Sequence, residues 1–381
     1  MPSLLFDARL ILPKPTGIGQ YITSLLPELW QAASDWHIHL LRGSHPWPGY
    51  GVEQWQAPNL THHISDERHM SLRQHWTLPR LAQQLGVDLI HYPHFDAPVL
   101  YQPIPVVATL YDAKYLVHPD FFTNLSSIKR QYMRFSFAQS LRRAASIIVI
   151  SHATARDMQA IFGKQPEHMM VIYAAADAQF QPAGTEAITA LRERYGLTRP
   201  FLLTVGERRP HKNHLGLLQA YGRSQSRHTH DLVIIGQPYQ DYTAPEEYVQ
   251  ANGLAAQVHF LSNVTFPELI AAYTAADLFV LVSFYEGFGL PILEAMACQT
   301  PVIAANTTAA GEIVGEGGLA VDPHDTDAIQ RAIDELLANS DSRQMWVAKG
   351  QKWQQRFSWQ QAAAETLTLY RHVLERNGKH R

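Results

Sequence analysis

The chain lacks the residues and the charge imbalance that mark several protein classes. Its 381 residues include one cysteine, Cys298, which excludes an intramolecular disulfide framework and a cysteine-rich zinc site. The net charge of -3 and the pI near 6.7 give no overall attraction to nucleic acid. Any anionic ligand must therefore be bound by a local group of Lys and Arg side chains.

Long apolar runs are also missing. Runs such as "ASIIVI" and "DLFVLV" are far shorter than the segment that a bilayer-spanning helix needs. Asp7 and Arg9 interrupt the stretch in which a signal peptide would carry its apolar core. We therefore expect a protein of the reducing cytoplasm, with attachment to the inner face of the cell membrane left open.

What the chain does contain is a regular alternation of short β-branched runs and amphipathic stretches, as in "DLIHYP", "SIIVIS", "FLLTVG" and "DLVIIG". This alternation is typical of parallel sheets built from βαβ units, and it predicts the α/β class. The length and the number of strands favour two domains, separated by a polar segment with Pro and Gly before "FLLTVG". We predict domains at residues 1–184 and 185–357, followed by a helix over 358–381 with Ser358 as its N-cap.

Two glutamates, Glu286 and Glu294, flank a Gly-Phe-Gly-Leu-Pro turn directly after the apolar run "DLFVLV". A strand, a glycine-containing loop and a helix in this order form the geometry in which parallel sheets hold ligands. Carboxylates accept hydrogen bonds from sugar hydroxyls, so the pair can hold two polyhydroxylated rings. The alternative is that Glu294 complements the helix dipole and that the glycines form a tight turn.

A second strand, loop and helix occur in "TVGERRPHKNHLG", with Gly206 at the strand end and Arg208, Arg209 and Lys212 before the helix. Cations beside a helix N-terminus add to its partial positive charge and its free N–H groups, which suits a phosphate or a diphosphate. The alternative is an ordinary solvated basic loop.

The segment "EGFGLPILE" resembles the E-x7-E motif of the retaining GT-B glycosyltransferases of family four, also called group 1 glycosyltransferases. The resemblance continues through "TGIGQYITSLLPEL", "VISHATARDM", "VGERRPHKN" and "GGLAVDP", so it covers nearly the whole chain. It implies an α/β protein of the GT-B fold, in which two Rossmann-like domains face a cleft and the C-terminal helix returns to the first domain. The first domain would be the acceptor side, and the second would bind the nucleotide-sugar donor.

The resemblance also implies roles for individual residues. Lys212 would bind the donor diphosphate with the help of Arg208 or Arg209, and Glu294 would hold the nucleotide ribose. Glu286 would hold the transferred sugar, so Glu286, Lys212 and Arg209 form the expected catalytic set. The other positions expected to approach the donor closely are Gly17, Gly19, Gly206, Gly287, Phe288, Gly289 and Leu290.

The chain departs from the family at two places that bear on the site. Glu207 stands where relatives often carry an arginine, which leaves the choice between Arg208 and Arg209 open. Tyr111 and Asp112 stand where relatives frequently show His-Asp, so no catalytic histidine is carried over to that place.

The family implies retaining transfer of a hexose from a nucleotide diphosphate sugar to a glycan hydroxyl. Similarity of "TGIGQY" and "PHKN" to mannosyltransferases favours GDP-mannose as the donor, and a lipid-linked intermediate of bacterial surface polysaccharide (O-antigen, lipopolysaccharide or exopolysaccharide) as the acceptor. We expect no cofactor and no metal, because the sequence "DTD" at Asp325–Asp327 precedes a helical pattern and is interpreted as a helix cap. The alternatives are a nucleotide-sugar epimerase or hydrolase of the same architecture, and a non-catalytic subunit that binds a nucleotide sugar.

The stretch from Ile128 to Ala144 interleaves basic and apolar side chains at helical spacing. Such a helix can lie on an anionic bilayer. The alternative is a helix whose aromatic side chains form core and whose basic side is solvated. The residues concerned are Lys129, Arg130, Arg134, Arg142 and Arg143, among Tyr132, Met133, Phe135 and Phe137.

Overall fold

The computed structural model of the chain describes residues 1–12, 16–44, 55–122, 126–163, 168–239 and 242–378. Packing divides the chain into two compact units, one comprising Met1–Ala174 with Ser358–Arg381 and the other Ala175–Phe357. Each unit is built around one parallel sheet. The domain limits at residues 184 and 357 concern parts of the chain that fold independently, and they stay a prediction.

The strands of the first unit are β1 (Ser3–Asp7), β2 (His37–Arg42), β3 (Leu60–Ile64), β4 (Leu89–Tyr92), β5 (Val106–Leu110), β6 (Ser146–Val149) and β7 (Met169–Val171). They form a parallel sheet in the order β3-β2-β1-β4-β5-β6-β7. All five residues of β5 are buried, as expected for an interior strand of a parallel sheet that is covered on both faces.

The helices between these strands are α1 (Gly17–Ala32), α2 (Gln74–Leu85), α3 (Lys114–Val117), α4 (Ser127–Arg143) and α5 (His152–Phe162). Thr16 caps α1, because its side chain accepts a hydrogen bond from the N–H of Gly19 at 3.0 Å. The observed bounds of α4 agree within one residue with the helix expected from the sequence. In the part of the chain that the structure describes, no helix is both long and apolar enough to cross a membrane.

The second unit alternates helices and strands and ends in two successive helices. The helices and strands are α6 (Thr185–Tyr195), β8 (Phe201–Val205), α7 (His214–Arg223), β9 (Asp231–Ile235), α8 (Ala244–Ala251), β10 (Val258–Leu261), α9 (Phe266–Ala275), β11 (Leu278–Leu281), α10 (Leu290–Ala297), β12 (Val302–Ala305), α11 (Thr308–Val314), β13 (Leu319–Val321), α12 (Thr326–Ala338) and α13 (Ser340–Gln354). The strands are parallel in the order β10-β9-β8-β11-β12-β13. The strand order reverses between β8 and β11, and the carboxyl ends of strands at such a switch point form the usual ligand crevice of this architecture.

The last helix, α14 (Trp359–Gly378), belongs to the first unit and packs along α1. The buried hydroxyl of Tyr370 hydrogen-bonds to Nδ1 of His91 on β4. Trp359 packs edge-on against Tyr21 of α1, with the ring centroids 5.3 Å apart. The return of the C-terminal helix to the first half of the chain, which the family resemblance implies, is therefore confirmed.

Two strands, β3 and β13, are not evident from the sequence. β3 reads "LTHHI", lies at the sheet edge and is only partly buried, so it lacks the apolar run of an interior strand. β13 has three residues and pairs with β12. Both strands are defined by their pairing with a neighbour more than by their own composition.

Candidate active site

The loop after β8 places Lys212 at the switch point of the second unit. Gly206 follows the strand with φ of 155°, and a Cβ at this position would touch the aliphatic part of Lys212 at 3.5 Å. A short 3-10 turn over Pro210–Lys212 comes next. Asn213 has φ of 54° and caps α7 by accepting a hydrogen bond from the N–H of Gly216 at 3.2 Å. The loop thus passes directly from the strand into the helix.

Asn213 also ties this loop to the ends of two other strands. Its side-chain amide donates to the carbonyl of Val282, after β11, at 3.0 Å, and to that of Pro323, after β13, at 2.8 Å. The residue is buried, so these bonds replace bonds to water, and their loss would leave buried carbonyls unpaired. The position of Lys212 is therefore fixed by several strands at once.

Lys212 and Glu286 form an ion pair across the switch point. Nζ of Lys212 lies 2.7 Å from Oε1 and 2.9 Å from Oε2 of Glu286. The hydroxyl of Ser283 donates to Oε1 of the same carboxylate at 2.7 Å, and the backbone N–H of Glu286 donates to Oγ1 of Thr308 at 3.2 Å. The exposed fractions of the two charged side chains are 18% for Lys212 and 10% for Glu286. The pair is shielded from water but remains open to a ligand.

Glu294 lies on α10 and is buried. The hydroxyl of Tyr273, on α9, donates to its Oε2 at 2.7 Å. Burial and, after it, the charge of Glu294 raise the pKa of Tyr273 well above its ordinary value, so the phenol stays a donor. Oγ1 of Thr300 donates to the carbonyl of Tyr273 at 2.6 Å and fixes this part of α9. The Glu294 carboxylate is thus held in one orientation by the fold.

The loop between the two glutamates brings the start of α10 to the site. Gly289 precedes the helix with φ of 101°, a conformation that side-chain-bearing residues rarely adopt. Phe288 is buried and packs edge-on against Phe357, with the ring centroids 6.3 Å apart. Gly287 and Leu290 are half-buried. The side chain of Phe288 anchors the loop, so its backbone is the part that we expect to approach a ligand.

The two arginines of the β8 loop differ in their surroundings. The side chain of Arg208 is 7% exposed, and its Nε lies 2.8 Å from Oε1 of Glu246. It also donates to a backbone carbonyl at 2.8 Å. The side chain of Arg209 is 24% exposed, pairs with Glu207 at 2.5 Å and stacks over the ring of Tyr239, 3.9 Å from its centroid. Arg208 therefore supports the loop from inside, whereas Arg209 lies at its surface.

The other residues singled out from the sequence are described in turn. Gly17 and Gly19 open α1 and belong to the first unit, whereas all other predicted donor residues belong to the second. Asp325 caps α12 by accepting from the N–H groups of Asp327 and Ala328 at 2.9 Å, as predicted for "DTD". Cys298 is buried, and burial raises the pKa of its thiol to about 12, which leaves it unreactive.

Sequence patterns do not reveal three side chains that shape the site, namely Ser283, Tyr273 and Asn213. Ser283 ends an apolar run three residues before Glu286, so proximity along the chain is a signal that could have found it. Tyr273 is a single hydroxyl-bearing ring in the apolar stretch "LIAAYTAADL", and its partner Glu294 lies 21 residues further on. Such a contact follows only from the packing of α9 against α10.

Two family descriptions match the chain. Glycosyl transferases group 1 matches residues 187–353, and Glycosyltransferase Family 4 matches residues 15–180. The two matches lie one after the other and together extend over most of the sequence.

Individual proteins that are similar to this chain include two that are named mannosyltransferases. The chain is 29% identical over 302 residues to the O-antigen chain mannosyltransferase B of Escherichia coli, a match that covers 78% of this chain and 77% of that protein. It is 27% identical to the O-antigen chain mannosyltransferase RfbU of Salmonella typhimurium, over 69% of each. The crystal structure of Anabaena HepE in complex with UDP and glucose superposes with a TM-score of 0.76 at 22% identity, over 97% of this chain and 100% of that one. This last likeness bears on the fold alone.

The two doubly wound sheets and these matches define a glycosyltransferase of the GT-B fold. The chain belongs to the group 1, or family four, glycosyltransferases. It is a hexosyltransferase, and the fold class and family expected from its sequence are confirmed.

Proposed function

We propose that this chain transfers mannose from GDP-mannose, with retention of configuration, to a hydroxyl of a growing bacterial surface polysaccharide. The observation that carries the proposal is the ion pair of Lys212 with Glu286 at the switch point of the second unit, with Glu294 on the helix that follows. The relatives named O-antigen chain mannosyltransferases support mannose as the transferred sugar. The acceptor in this proposal is a lipid-linked glycan intermediate.

Lys212 binds the donor diphosphate in this proposal, assisted by Arg209. An ammonium carries three N–H donors, so contact with Glu286 still leaves capacity for phosphate oxygens. Positive charge at this point stabilises the departing nucleoside diphosphate more than the intact donor, which is the condition for a faster reaction. Arg209 suits this role better than Arg208, because the Arg208 guanidinium is buried and already paired with Glu246.

Each of the two glutamates binds one sugar of the donor in this proposal. Glu294 holds the ribose, and Glu286 holds the transferred hexose together with the backbone at Gly287 to Leu290. Tyr273 and Ser283 fix the two carboxylates before binding, which reduces the ordering cost of the complex. The proposed route to retention uses the leaving phosphate itself as the base that takes the proton of the acceptor hydroxyl.

A panel of nucleotide sugars tests this function. We expect GDP-mannose to raise the melting temperature of the chain more than UDP-glucose does, and to support transfer to a mannose-terminated lipid-linked acceptor. Transfer should continue in excess EDTA, because side-chain cations and helix N-termini replace a metal at the diphosphate. Rapid consumption of donor without acceptor would favour the epimerase or hydrolase alternative. Donor binding without any turnover would favour the non-catalytic alternative.

We also propose that α4 contacts an anionic membrane at the cytoplasmic face. Met133 and Phe137 are buried, but Ile128 is 81% exposed and Phe135 is 41% exposed. Lys129, one of the basic residues of this helix, is exposed beside Ile128. The apolar residues of α4 are thus divided between core and surface, and the exposed ones, interleaved with cations, fit the interfacial layer of an anionic bilayer.

A further inference from the structure

Four histidines lie on two neighbouring strands at one edge of the sheet in the first unit. They are His37 and His39 on β2, and His62 and His63 on β3. β3 is the end strand of this sheet and pairs in parallel with β2. No role proposed above uses these residues, although the imidazole ring is the commonest metal ligand in proteins. The arrangement of the four rings therefore decides whether they can act together.

Three of the four histidines share one face of the sheet. Successive side chains of a strand point to opposite faces, so His37 and His39 lie on the same face of β2. His39 is paired with Thr61 in the strand register, which places His63 on that face as well. His62 lies on the opposite face. The sequence "THH" therefore gives no sign of a site, because its two histidines point away from each other and the partner ring comes from β2.

The face that carries His39 and His63 is only partly covered. Leu41, two residues after His39 on β2, is buried in the core cluster that also contains Leu78 of α2. His39 and His63 are half-buried. Both rings are thus held by their surroundings, yet they remain accessible to a small ion from solvent.

The rings of His39 and His63 face each other through two nitrogens. Nδ1 of His39 lies 2.9 Å from Nε2 of His63, and the ring centroids are 5.1 Å apart. One nitrogen of this pair donates a proton and the other accepts it, so at least one ring is neutral. In the part of the chain that the structure describes, Nε2 of His39 and Nδ1 of His63 have no hydrogen-bond partner, so both can donate to water. A metal-bound imidazole uses its second nitrogen in this way.

The separation of these two nitrogens matches that of two neighbouring ligands of one metal ion. Imidazole nitrogens lie roughly 2.0–2.1 Å from a divalent transition-metal ion, and two such ligands at a right angle are about 2.9 Å apart. Right angles between neighbouring ligands are the geometry of Cu²⁺ and Ni²⁺. The torsion of a histidine ring about its Cβ–Cγ bond is broad, so rotation of the two rings can turn both lone pairs toward one ion. The ion would take the place of the shared proton.

We propose that His39 and His63 bind one divalent transition-metal ion, of the kind represented by Cu²⁺ and Ni²⁺, which joins β3 to β2. Among the described residues no group of three or more His, Cys, Asp or Glu is placed to hold one ion, so the chain supplies two ligands and water supplies the others. His37 stays outside the site, because its Nε2 is bonded to Oγ1 of Thr61 at 2.9 Å. The ion takes no part in the sugar transfer, so the proposal is independent of the proposed function.

Calorimetric titration of the full chain with Ni²⁺ tests the site. We expect His39→Gln and His63→Gln each to weaken Ni²⁺ binding on the order of 100-fold, because the second imidazole of a pair acts at a high effective concentration. His37→Gln and His62→Gln are the matched controls and should keep the wild-type affinity. The chain has 20 histidines, so the evidence is the difference between variants and not binding alone. Equal affinity in all five proteins would mean adventitious binding elsewhere and would overturn the proposal.

Electron paramagnetic resonance with one equivalent of Cu²⁺ counts the nitrogens bound to the ion. We expect two in wild type and in His37→Gln, and one in each of His39→Gln and His63→Gln. Loss of a nitrogen in His37→Gln would overturn the assignment of two ligands, and so would an unchanged count in His39→Gln and His63→Gln.

Hydrogen exchange tests whether the ion joins the two strands. An ion that binds only the closed pair slows exchange through local opening, so Ni²⁺ at 100 times its Kd should slow exchange of β2 and β3 peptides about 100-fold in wild type. His63→Gln at the same Ni²⁺ concentration should show little slowing. Protection of β5 without metal shows that a variant is folded, and His39→Gln replaces His63→Gln if the latter is not. No slowing in wild type would overturn the proposal, whether or not the chain transfers mannose.

Discussion

At the scale of single residues, Lys212 supplies the charge that the proposed chemistry needs most. It lies on a loop with its ammonium 2.7 Å from Glu286, so Lys212→Ala removes a cation and little core volume. We expect kcat to fall about 100-fold or more, as for loss of other groups that stabilise transition-state charge. Affinity for GDP should fall in calorimetry, and the melting temperature should fall modestly, because the shielded Glu286 carboxylate loses its ion-pair partner. Lys349, exposed on α13, provides the matched Lys→Ala control. Near-normal turnover of Lys212→Ala would contradict the diphosphate assignment.

The neighbouring arginines should separate into a binding residue and a structural one. Arg209→Ala is expected to weaken GDP binding about tenfold with little change in stability, because one exposed charged contact to phosphate is lost. Arg208→Ala is expected to destabilise the second unit by roughly 2 kcal/mol, because it leaves Glu246 and a buried carbonyl unpaired. Calorimetry and urea unfolding of both variants measure the two effects. The reverse pattern would assign the phosphate to Arg208.

Tyr273 should act on the donor only through Glu294. Tyr273→Phe removes the 2.7 Å hydrogen bond to the carboxylate while keeping the ring, so we expect the KM for GDP-mannose to rise about fivefold and kcat to change less. Tyr221→Phe is the matched control, since its buried hydroxyl donates to the carbonyl of His230 at 2.8 Å in the same unit. Both variants should lose about 1 kcal/mol of stability. Equal donor KM values in the two variants would remove Tyr273 from the binding site.

At the scale of elements, the sequence predicts those strands and site residues whose signal lies within a single element. Interior strands such as β5 and β11 are rich in apolar residues, and Glu286 and Lys212 lie in the loops that directly follow β11 and β8. The edge strand β3 is polar and does not stand out. The contact of His39 with His63 joins residues 24 apart and needs β2 and β3 to be neighbours. Such sites depend on strand order and helix packing, which no local pattern contains.

The proposed membrane contact of α4 can be tested by changing its exposed apolar residues and its basic residues in separate variants. Replacing Ile128 and Phe135 by Ser should lower sedimentation with phosphatidylglycerol vesicles without loss of stability, because both side chains are exposed. Neutralising Lys129, Arg130, Arg142 and Arg143 should have a similar effect, at about 1 kcal/mol per charge near the surface, and added salt should imitate it. Transfer to a short soluble acceptor should be spared in both variants. Met345→Ser, which changes an exposed residue of α13, is the control.

The membrane proposal fails if vesicle binding at low ionic strength is the same in wild type and in both α4 variants. In that case Ile128 and Phe135 are isolated exposed residues, which are common on protein surfaces. The basic residues of the helix would then form a solvated side, as in the alternative interpretation of the sequence. The donor site would be unaffected, since it lies in the other unit.

At the scale of the whole molecule, each unit contains a buried neutral histidine that makes it sensitive to acid. Burial lowers the pKa of His91, in the first unit, to about 3. In the second unit burial, followed by the charges of Lys212 and Arg208, lowers the pKa of His214 to about 3. Unfolded histidine titrates near 6.5, so below that pH the unfolded chain binds more protons than the folded chain. Stability should therefore be flat above about pH 7 and fall as the pH decreases from 6.5 toward 3.

Each of these histidines should remove about 1.4 kcal/mol of stability per pH unit in that range, so the loss begins in mild acid. Hydrogen exchange of peptides from β4 and α7 reports the two units separately, which a single melting curve does not. His91→Gln cannot take up a proton, and it should flatten the pH dependence of exchange in β4 while leaving that of α7 unchanged. The comparison uses the slope against pH, because the substitution also disturbs the bonds of His91 to Tyr370 and Thr109 and lowers stability at every pH. An unchanged slope in β4 would mean that acid acts on the first unit through other groups.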